Sequence, residues 1–169
     1  MERLDFYNNL GEFRITYDDI SYDRVFLMSV ETFAMIQEAI KGIFGTGFAI
    51  VMLRIGESAG KSAAKYYVQE SDVKKRIALS KEVFDTPSEW GWGSYNLEIT
   101  EEPPFIRLKH YNSAFKDLCY LEGESKTPEN HFVAGFFKGY FSTILSKELA
   151  CTKTKCMAKG DEYCEYELR

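Results

Sequence analysis

The end of the chain constrains it most. In ACTKTKCMAKGDEYCEYELR, Cys151, Cys156 and Cys164, three of the four cysteines, fall around a Gly160-Asp161 pair. Tyr163, Cys164, Tyr166 and Leu168 suit a pleated surface and Gly-Asp supplies turn chemistry, so residues 149–157 and 162–168 read as the two strands of a β-hairpin. With Ala158 to Asp161 as the loop, Cys156 comes nearly opposite Cys164, and cross-strand neighbours have Cβ atoms about 4.5–5.5 Å apart. A chain that ends this way places two thiols together at the mouth of a hairpin.

Three chemistries compete for those thiols. A disulfide is geometrically open, but the start MERLDFYNNLGEF is charged and has no long apolar run. No secretory leader is expected, and a reducing, cytoplasmic compartment is. Plain packing is the second reading, because free cysteine is among the most buried residue types. The third is a thiolate-rich metal site, zinc in tetrahedral coordination, with Cys156, Cys164 and either Cys151 or Cys119 as ligands.

At 169 residues the chain is long enough to bury a core without disulfides, so a metal would be a local clamp. Its 45% hydrophobic and 15% aromatic content, with 13 Phe and 11 Tyr, exceeds what a small hydrophilic module needs. A ligand cavity or an oligomer interface is the usual destination of such surplus area. A net charge of −5 and a pI near 5.2 oppose a nucleic-acid partner, and Lys74-Lys75, Lys153 and Lys155 read as solvated faces. No apolar run reaches the ~20 residues of a membrane helix, and GFAIVMLRIGESAG, interrupted by Arg54 and Glu57, reads as a buried helix. Membrane insertion is therefore not expected.

Glu12 to Tyr17 alternates as a short strand, and DDISYDR reads as a connection. A helix is expected from Val30 to about Phe44 with Ser29 as N-cap, its apolar positions Val30, Phe33, Ile36, Ile40 and Ile43 keeping helical spacing. Gly45-Thr46-Gly47 breaks the chain before a second helix to about Tyr67, on which Gly56, Gly60 and Ala64 form a small-residue stripe. Each glycine there costs nearly 1 kcal/mol against Ala, so a close neighbour is expected. A third helix, capped by Ser71, runs from about Asp72 to Phe84. Tyr95, Leu97 and Ile99 set up a strand after the glycine-flanked Trp90 and Trp92. Phe105 to Tyr111 is the next strand, with Ile106, Leu108 and His110 on one face. Ser113 to Tyr120 reads as a short helix. Thr127-Pro128-Glu129 opens a helix to about Lys147 that carries Phe132, Phe136, Tyr140, Phe141, Ile144 and Leu145, with Gly135 and Gly139 four apart. Helices first and strands later, with one late helix, favour α+β.

The stretch HFVAGFFKGYFSTILSKEL, followed by TKCMAKGDEYCEYEL, resembles the 4-vinyl reductase-like domain family, also called hydrocarbon-binding proteins, and IGESAGKSAA looks like that family's glycine-containing second helix. The likeness covers most of residues 25–169 and leaves 1–24 as an N-terminal extension with a short strand. It implies an antiparallel sheet packed with helices, a ligand-binding fold related to TRAPP subunits and haem nitric-oxide sensors. It also implies an apolar pocket beside a structural zinc held by three Cys and one Glu. Cys156 and Cys164 match the last two cysteines of that pattern. Asn130 and His131 stand where a Cys is often found, and Thr152 and Lys153 where the Glu is expected. The metal set drawn from this is Cys119, Cys151, Cys156 and Cys164.

The expected function is a small-molecule binding domain, sensory or carrier, for a hydrophobic ligand, aromatic or acyl. Its pocket lining is drawn from Trp90, Trp92, Tyr95, Phe105, Ile106, Phe132, Phe136 and Tyr140, with His110 as the polar handle. Aromatic residues at helical spacing also build ordinary cores. The chain shows no GxGxxG fingerprint, no Walker A loop and no nucleophile beside a base, so a binding role is favoured over an enzyme. The alternatives are an assembly module, a homodimer whose glycine-striped helices pack on a partner, and an accessory protein of tetrapyrrole metabolism. With no DNA-binding or ATPase segment in view, a sensor's output is expected to pass through a separate partner.

Overall fold

Strand pairing organises the first residues of the computed structural model, which describes residues 2–7, 12–17, 21–25, 28–85, 91–103, 105–114 and 130–169. β1 (Glu2–Tyr7), β2 (Glu12–Tyr17) and β3 (Ser21–Val25) form an antiparallel sheet in sequence order, with Phe13 paired to Phe6 on one side and to Val25 on the other. β2 lies where its alternation places it. The SYDR segment is a strand rather than a connection, because pairing with β2 supplies what its polar sequence does not.

Helix α1 (Val30–Phe44) begins at Ser29, whose Oγ accepts the Thr32 N–H at 3.1 Å, and ends at Gly45, held at φ 52°. A single 3-10 turn over Gly45–Gly47 leads into α2 (Phe48–Ala64). Helix α3 (Val73–Asp85) is capped by Asp72, not by Ser71: the Asp72 carboxylate accepts the Lys74 N–H at 2.8 Å, while Ser71 bonds Glu70. Helix α4 (His131–Leu145) starts at Asn130, whose side chain accepts the Val133 N–H at 3.1 Å. That start is later than expected, and Thr127, Pro128 and Glu129 lie outside the described residues, as does Phe115 to Tyr120 of the expected short helix.

The second sheet holds β4 (Ser94–Ile99), β5 (Ile106–Tyr111), β6 (Cys151–Lys155) and β7 (Cys164–Leu168) in the order β4-β5-β7-β6, every pair antiparallel. Leu97, Ile106, Leu108, His110, Cys164, Tyr166 and Leu168 are buried on its inner face. Against them α4 lays Val133, Phe137, Phe141 and Ile144, all fully buried. The result is the α+β arrangement of helices on an antiparallel sheet that the order of elements implies.

The glycine stripes of α2 and α4 face each other within the chain. A Cβ on Gly56 would strike the Phe132 carbonyl and one on Gly60 that of Phe136, while one on Gly135 would strike Leu53 and one on Gly139 would strike Glu57. Backbone therefore touches backbone along this crossing, so the close neighbour that the stripes call for is the other helix of the same chain, in place of the partner molecule of the assembly alternative. Glu57 is buried beside the crossing, held by Lys61 at 2.7 Å and by Lys138 of α4 at 3.2 Å.

Helix α1 departs from its expected packing. Ala34 and Gln37 are its buried positions, whereas Ile36 and Ile43 of the predicted stripe are 40% and 76% exposed. Joined through the 3-10 turn, Val30–Ala64 is long and apolar enough, by length and composition, to cross a membrane, and little of it is buried. This corrects the expectation that no segment reaches that length. The helical path continues through Gly45–Gly47, where the sequence predicts a break.

Candidate functional site

The polar and aromatic groups of the inner face converge at one end of the second sheet. Register sets Tyr95 of β4 beside His110 of β5, and His110 beside Cys164 of β7. His110 has no exposed surface. Its Nε2 lies 2.6 Å from the Trp92 carbonyl, which can only accept, so Nε2 carries the proton and Nδ1 is left with a bare lone pair. Among the described residues Nδ1 has no hydrogen-bond partner. Burial pushes the His110 pKa down to about 4, opposed by the bond to Trp92 and aided by the charge of Lys153, so the ring is neutral at pH 7. The Tyr95 ring stacks on it at 4.3 Å, and burial pushes the Tyr95 phenol far up, keeping it protonated.

Gly93 makes this contact feasible. It sits at φ 115°, and a Cβ there would lie 2.9 Å from His110 Nε2 and nearer still to the Tyr111 carbonyl. Trp92 is thereby drawn over the end of the sheet, its ring 5.0 Å from Phe136 and 6.1 Å from Phe132. Phe136 stacks on Tyr140 at 6.2 Å, and the Tyr140 hydroxyl donates to the buried Ser80 at 3.2 Å.

Six expected lining residues, Trp92, Tyr95, His110, Phe132, Phe136 and Tyr140, thus form one continuous aromatic layer. Phe105 does not join it. It precedes Ile106 at the opposite end of β5, where the Lys147 ammonium lies 3.5 Å above its ring, so about 16 Å of strand separates it from His110. Ile106 is core at that same end, and Trp90 lies outside the described residues. The layer also contains residues the sequence reading missed. Phe84, at the end of charged α3, contacts Tyr95 and Tyr140 at 5.3 Å each and Phe137 at 6.1 Å. A lone aromatic four residues after Ser80 on a polar helix was the signal available. A cleft of about 230 Å³ among Glu98, Thr100, Glu102, Pro103 and Arg107 lies apart from this layer, and its Arg107 is paired with Glu167 at 3.1 Å.

The thiols divide into two places. Cys156 and Cys164 are buried just beyond the Lys155–Glu165 pair at the hairpin mouth. The Met157 N–H donates to Cys164 Sγ at 3.4 Å, and Asp161 takes the Cys156 N–H at 2.7 Å, closing the turn around them. Lys153 lies over the Tyr166 ring, its Nζ 5.7 Å from the centroid, and donates to the Cys156 thiol. Burial is the largest influence on Cys156 and raises it, but Lys153 and neighbouring donors bring the net pKa below that of an ordinary thiol. Burial raises Cys164.

Cys151 pairs with Leu168 at the far end of β6, roughly 16 Å along the strand from Cys156, and burial pushes its thiol up to about 12. It cannot share an ion with the other two, which corrects the four-cysteine set. Cys119 lies outside the described residues, and among those described no three His, Cys, Asp or Glu side chains are grouped to hold a metal ion. Among the described residues, two thiols with an ammonium group beside them do not by themselves make up a tetrahedral zinc site. His131, at the start of α4, meets the Phe48 ring edge-on at 6.3 Å.

Comparison with known proteins adds a family and a fold. The family model for the 4-vinyl reductase domain matches residues 111–169. An uncharacterised protein of Methanocaldococcus jannaschii is 27% identical over 129 residues, which is 74% of this chain and 66% of that protein. A second protein from that organism is 26% identical over 62% of this chain and 61% of its own length, so the chain spans less than two thirds of either relative. Among solved structures, the phenol-responsive sensory domain of the transcription activator PoxR, with phenol, superposes with a TM-score of 0.77. The match covers 98% of this chain and 84% of that one, at 14% identity. Trafficking protein particle complex subunit 3 from Naegleria fowleri, covalently bound to palmitic acid, gives a TM-score of 0.53 over 83% of this chain and 93% of its own, also at 14% identity.

Proposed function

We propose that this chain, whose residues 111–169 match the 4-vinyl reductase domain model, is a member of that family and binds a hydrophobic, aromatic small molecule bearing a hydroxyl or N–H donor. The role is sensory or that of a carrier. The observation that carries the reading is His110 Nδ1, a fully buried acceptor with no partner among the described residues, set in an aromatic layer. An unmet buried acceptor costs roughly 1–3 kcal/mol, and a ligand that donates to it recovers that cost. The neutral, singly protonated ring holds the lone pair ready at pH 7. The fold neighbours bound to phenol and to palmitic acid fit a hydrophobic cargo, and the lone pair favours the phenol type over an acyl chain.

Trp92, between Gly91 at φ 74° and Gly93 at φ 115°, is the ring that shifts to admit the ligand. Titration with phenol and with toluene, followed by tryptophan fluorescence and calorimetry, tests this. Phenol is expected to bind on the order of tenfold or more tighter than toluene, with the preference lost in His110→Phe. Equal binding of the two, or of neither, refutes the reading.

A second reading concerns assembly. Met35, Ile43 and Ile50 are 68%, 76% and 67% exposed along α1 and α2, and a second copy of the chain would cover them in a homodimer. Light scattering on the wild type and on Ile43→Lys decides it, a dimer turned monomer being the expected result.

A further inference from the structure

We infer that Cys156 and Cys164 form a reactive dithiol at the hairpin mouth, which a hydroperoxide closes to a disulfide, with the Lys153 ammonium rather than a metal ion as the charge beside it. This inference does not depend on the ligand reading. Cys156 and Cys164 follow the Lys155–Glu165 pair directly, so they are the next neighbours across the two strands, and the Met157 N–H, one residue beyond Cys156, already reaches Cys164 Sγ at 3.4 Å. The two thiols hydrogen-bond one another. Cross-strand neighbours stand with Cβ atoms about 4.5–5.5 Å apart, slightly wider than a disulfide needs. The short turn over Met157–Lys159 and Gly160, at φ 96°, can take up that difference.

The polar surroundings separate this pair from ordinary packed cysteines. Lys153 projects from β6 onto the inner face and donates to Cys156, and the backbone N–H of Met157 donates to Cys164. Both contacts favour the anionic sulfur. Cys151, half-buried at the far end of β6 and with no such donor among the described residues, provides an internal control.

The chemistry balances with one oxidant. The Cys156 thiolate attacks the terminal oxygen of the hydroperoxide, the O–O bond breaks, and the alkoxide or hydroxide leaves and takes up a proton as alcohol or water. Cys156 is now a sulfenic acid. The Cys164 sulfur attacks it, an S–S bond forms, and the hydroxyl departs with the Cys164 proton as a second water. Two thiols are oxidised by two electrons, and one peroxide is reduced.

The test uses the full chain, purified under reductant and exchanged into anaerobic buffer, then treated with one equivalent of hydrogen peroxide, alkylated and weighed intact. The expected result is loss of two alkylable thiols and a Cys156–Cys164 link in the peptide map, with Cys151 still alkylated. Lys153→Met is expected to slow closure on the order of tenfold and Lys153→Arg to restore it, as loss and return of one adjacent charge. Persistence of both thiols in the wild type overturns the inference. So does zinc at one equivalent per chain that shields both from alkylation. The wild-type measurement stands even where a variant does not fold.

Discussion

Acid should weaken this protein through one ring. His110 is fully buried with a pKa near 4, against about 6.5 for an exposed imidazole, and burial is the main cause. Its folded pKa is depressed, so between those values the unfolded chain binds the proton that the native chain refuses. The resulting stability is complete above about pH 6.5 and is lost as the pH falls towards 4. The gap between about 6.5 and about 4, at 1.36 kcal/mol per pH unit, amounts to about 3 kcal/mol when fully lost, of which about 2.5 kcal/mol is gone by pH 4.5. Urea denaturation at pH 7.5 and pH 4.5 measures the loss, and a typical slope of 1–3 kcal/mol/M makes it a fall of at least 1 M or so in the midpoint. Other groups also titrate there, so the comparison is with His110→Phe, which keeps an aromatic ring against Tyr95 and removes the titration. That variant is expected to be less stable at pH 7.5, because the Trp92 carbonyl loses its donor, yet to lose about 2.5 kcal/mol less on acidification to pH 4.5. The chain has just two histidines, so NMR resolves the His110 titration directly. Equal acid sensitivity in wild type and variant, or a measured pKa near 6.5, refutes the reasoning.

Further outcomes follow from the packing. Gly60→Ala is expected to cost about 1–3 kcal/mol in chemical denaturation, because its methyl group meets the Phe136 carbonyl and overpacking outweighs the ~1 kcal/mol gain in helix propensity. Gly42→Ala, on α1 with none of the described residues within 4 Å of the added methyl group, keeps that gain and should stabilise by up to about 1 kcal/mol. Glu57→Gln removes the carboxylate that Lys61 and Lys138 bind, and a loss of about 1.5–3 kcal/mol is expected in the same assay. Bonding to Lys61 is the leading reason that the Glu57 pKa is lowered, so its contribution is present above the ordinary carboxylate range and fades as the pH falls through the folded value. Trp92→Ala should shorten ligand retention, read by native mass spectrometry, while leaving the oligomeric state unchanged.

Much of the local structure was legible because it is decided locally. Ser29 before Val30 and the alternations of Tyr95–Leu97–Ile99 and Ile106–Leu108–His110 announce their elements through capping and period alone. The terminal hairpin and its adjacent Cys156 and Cys164 follow from turn chemistry in the same way. Where two acceptors compete, as with Ser71 and Asp72, propensity could not choose, and the charged one took the cap. β3 was hidden because its partner, not its composition, makes it a strand.

The candidate site was half legible. Trp92, Tyr95, His110, Phe132, Phe136 and Tyr140 could be named because aromatic residues gather where apolar area is buried. Phe105 could not be excluded, nor Phe84 included, until register and helix placement set their positions. Sequence alone determined the α+β order of elements, the glycine stripes and the presence of two neighbouring thiols, since each depends on residues near one another in the chain. Only the tertiary structure decided that the stripes close on each other, that Cys151 stands at the far end of its strand, that Lys153 lies beside Cys156 and that His110 keeps a lone pair unmet. Those are facts of distance and burial set by how whole elements pack, and no local preference encodes them.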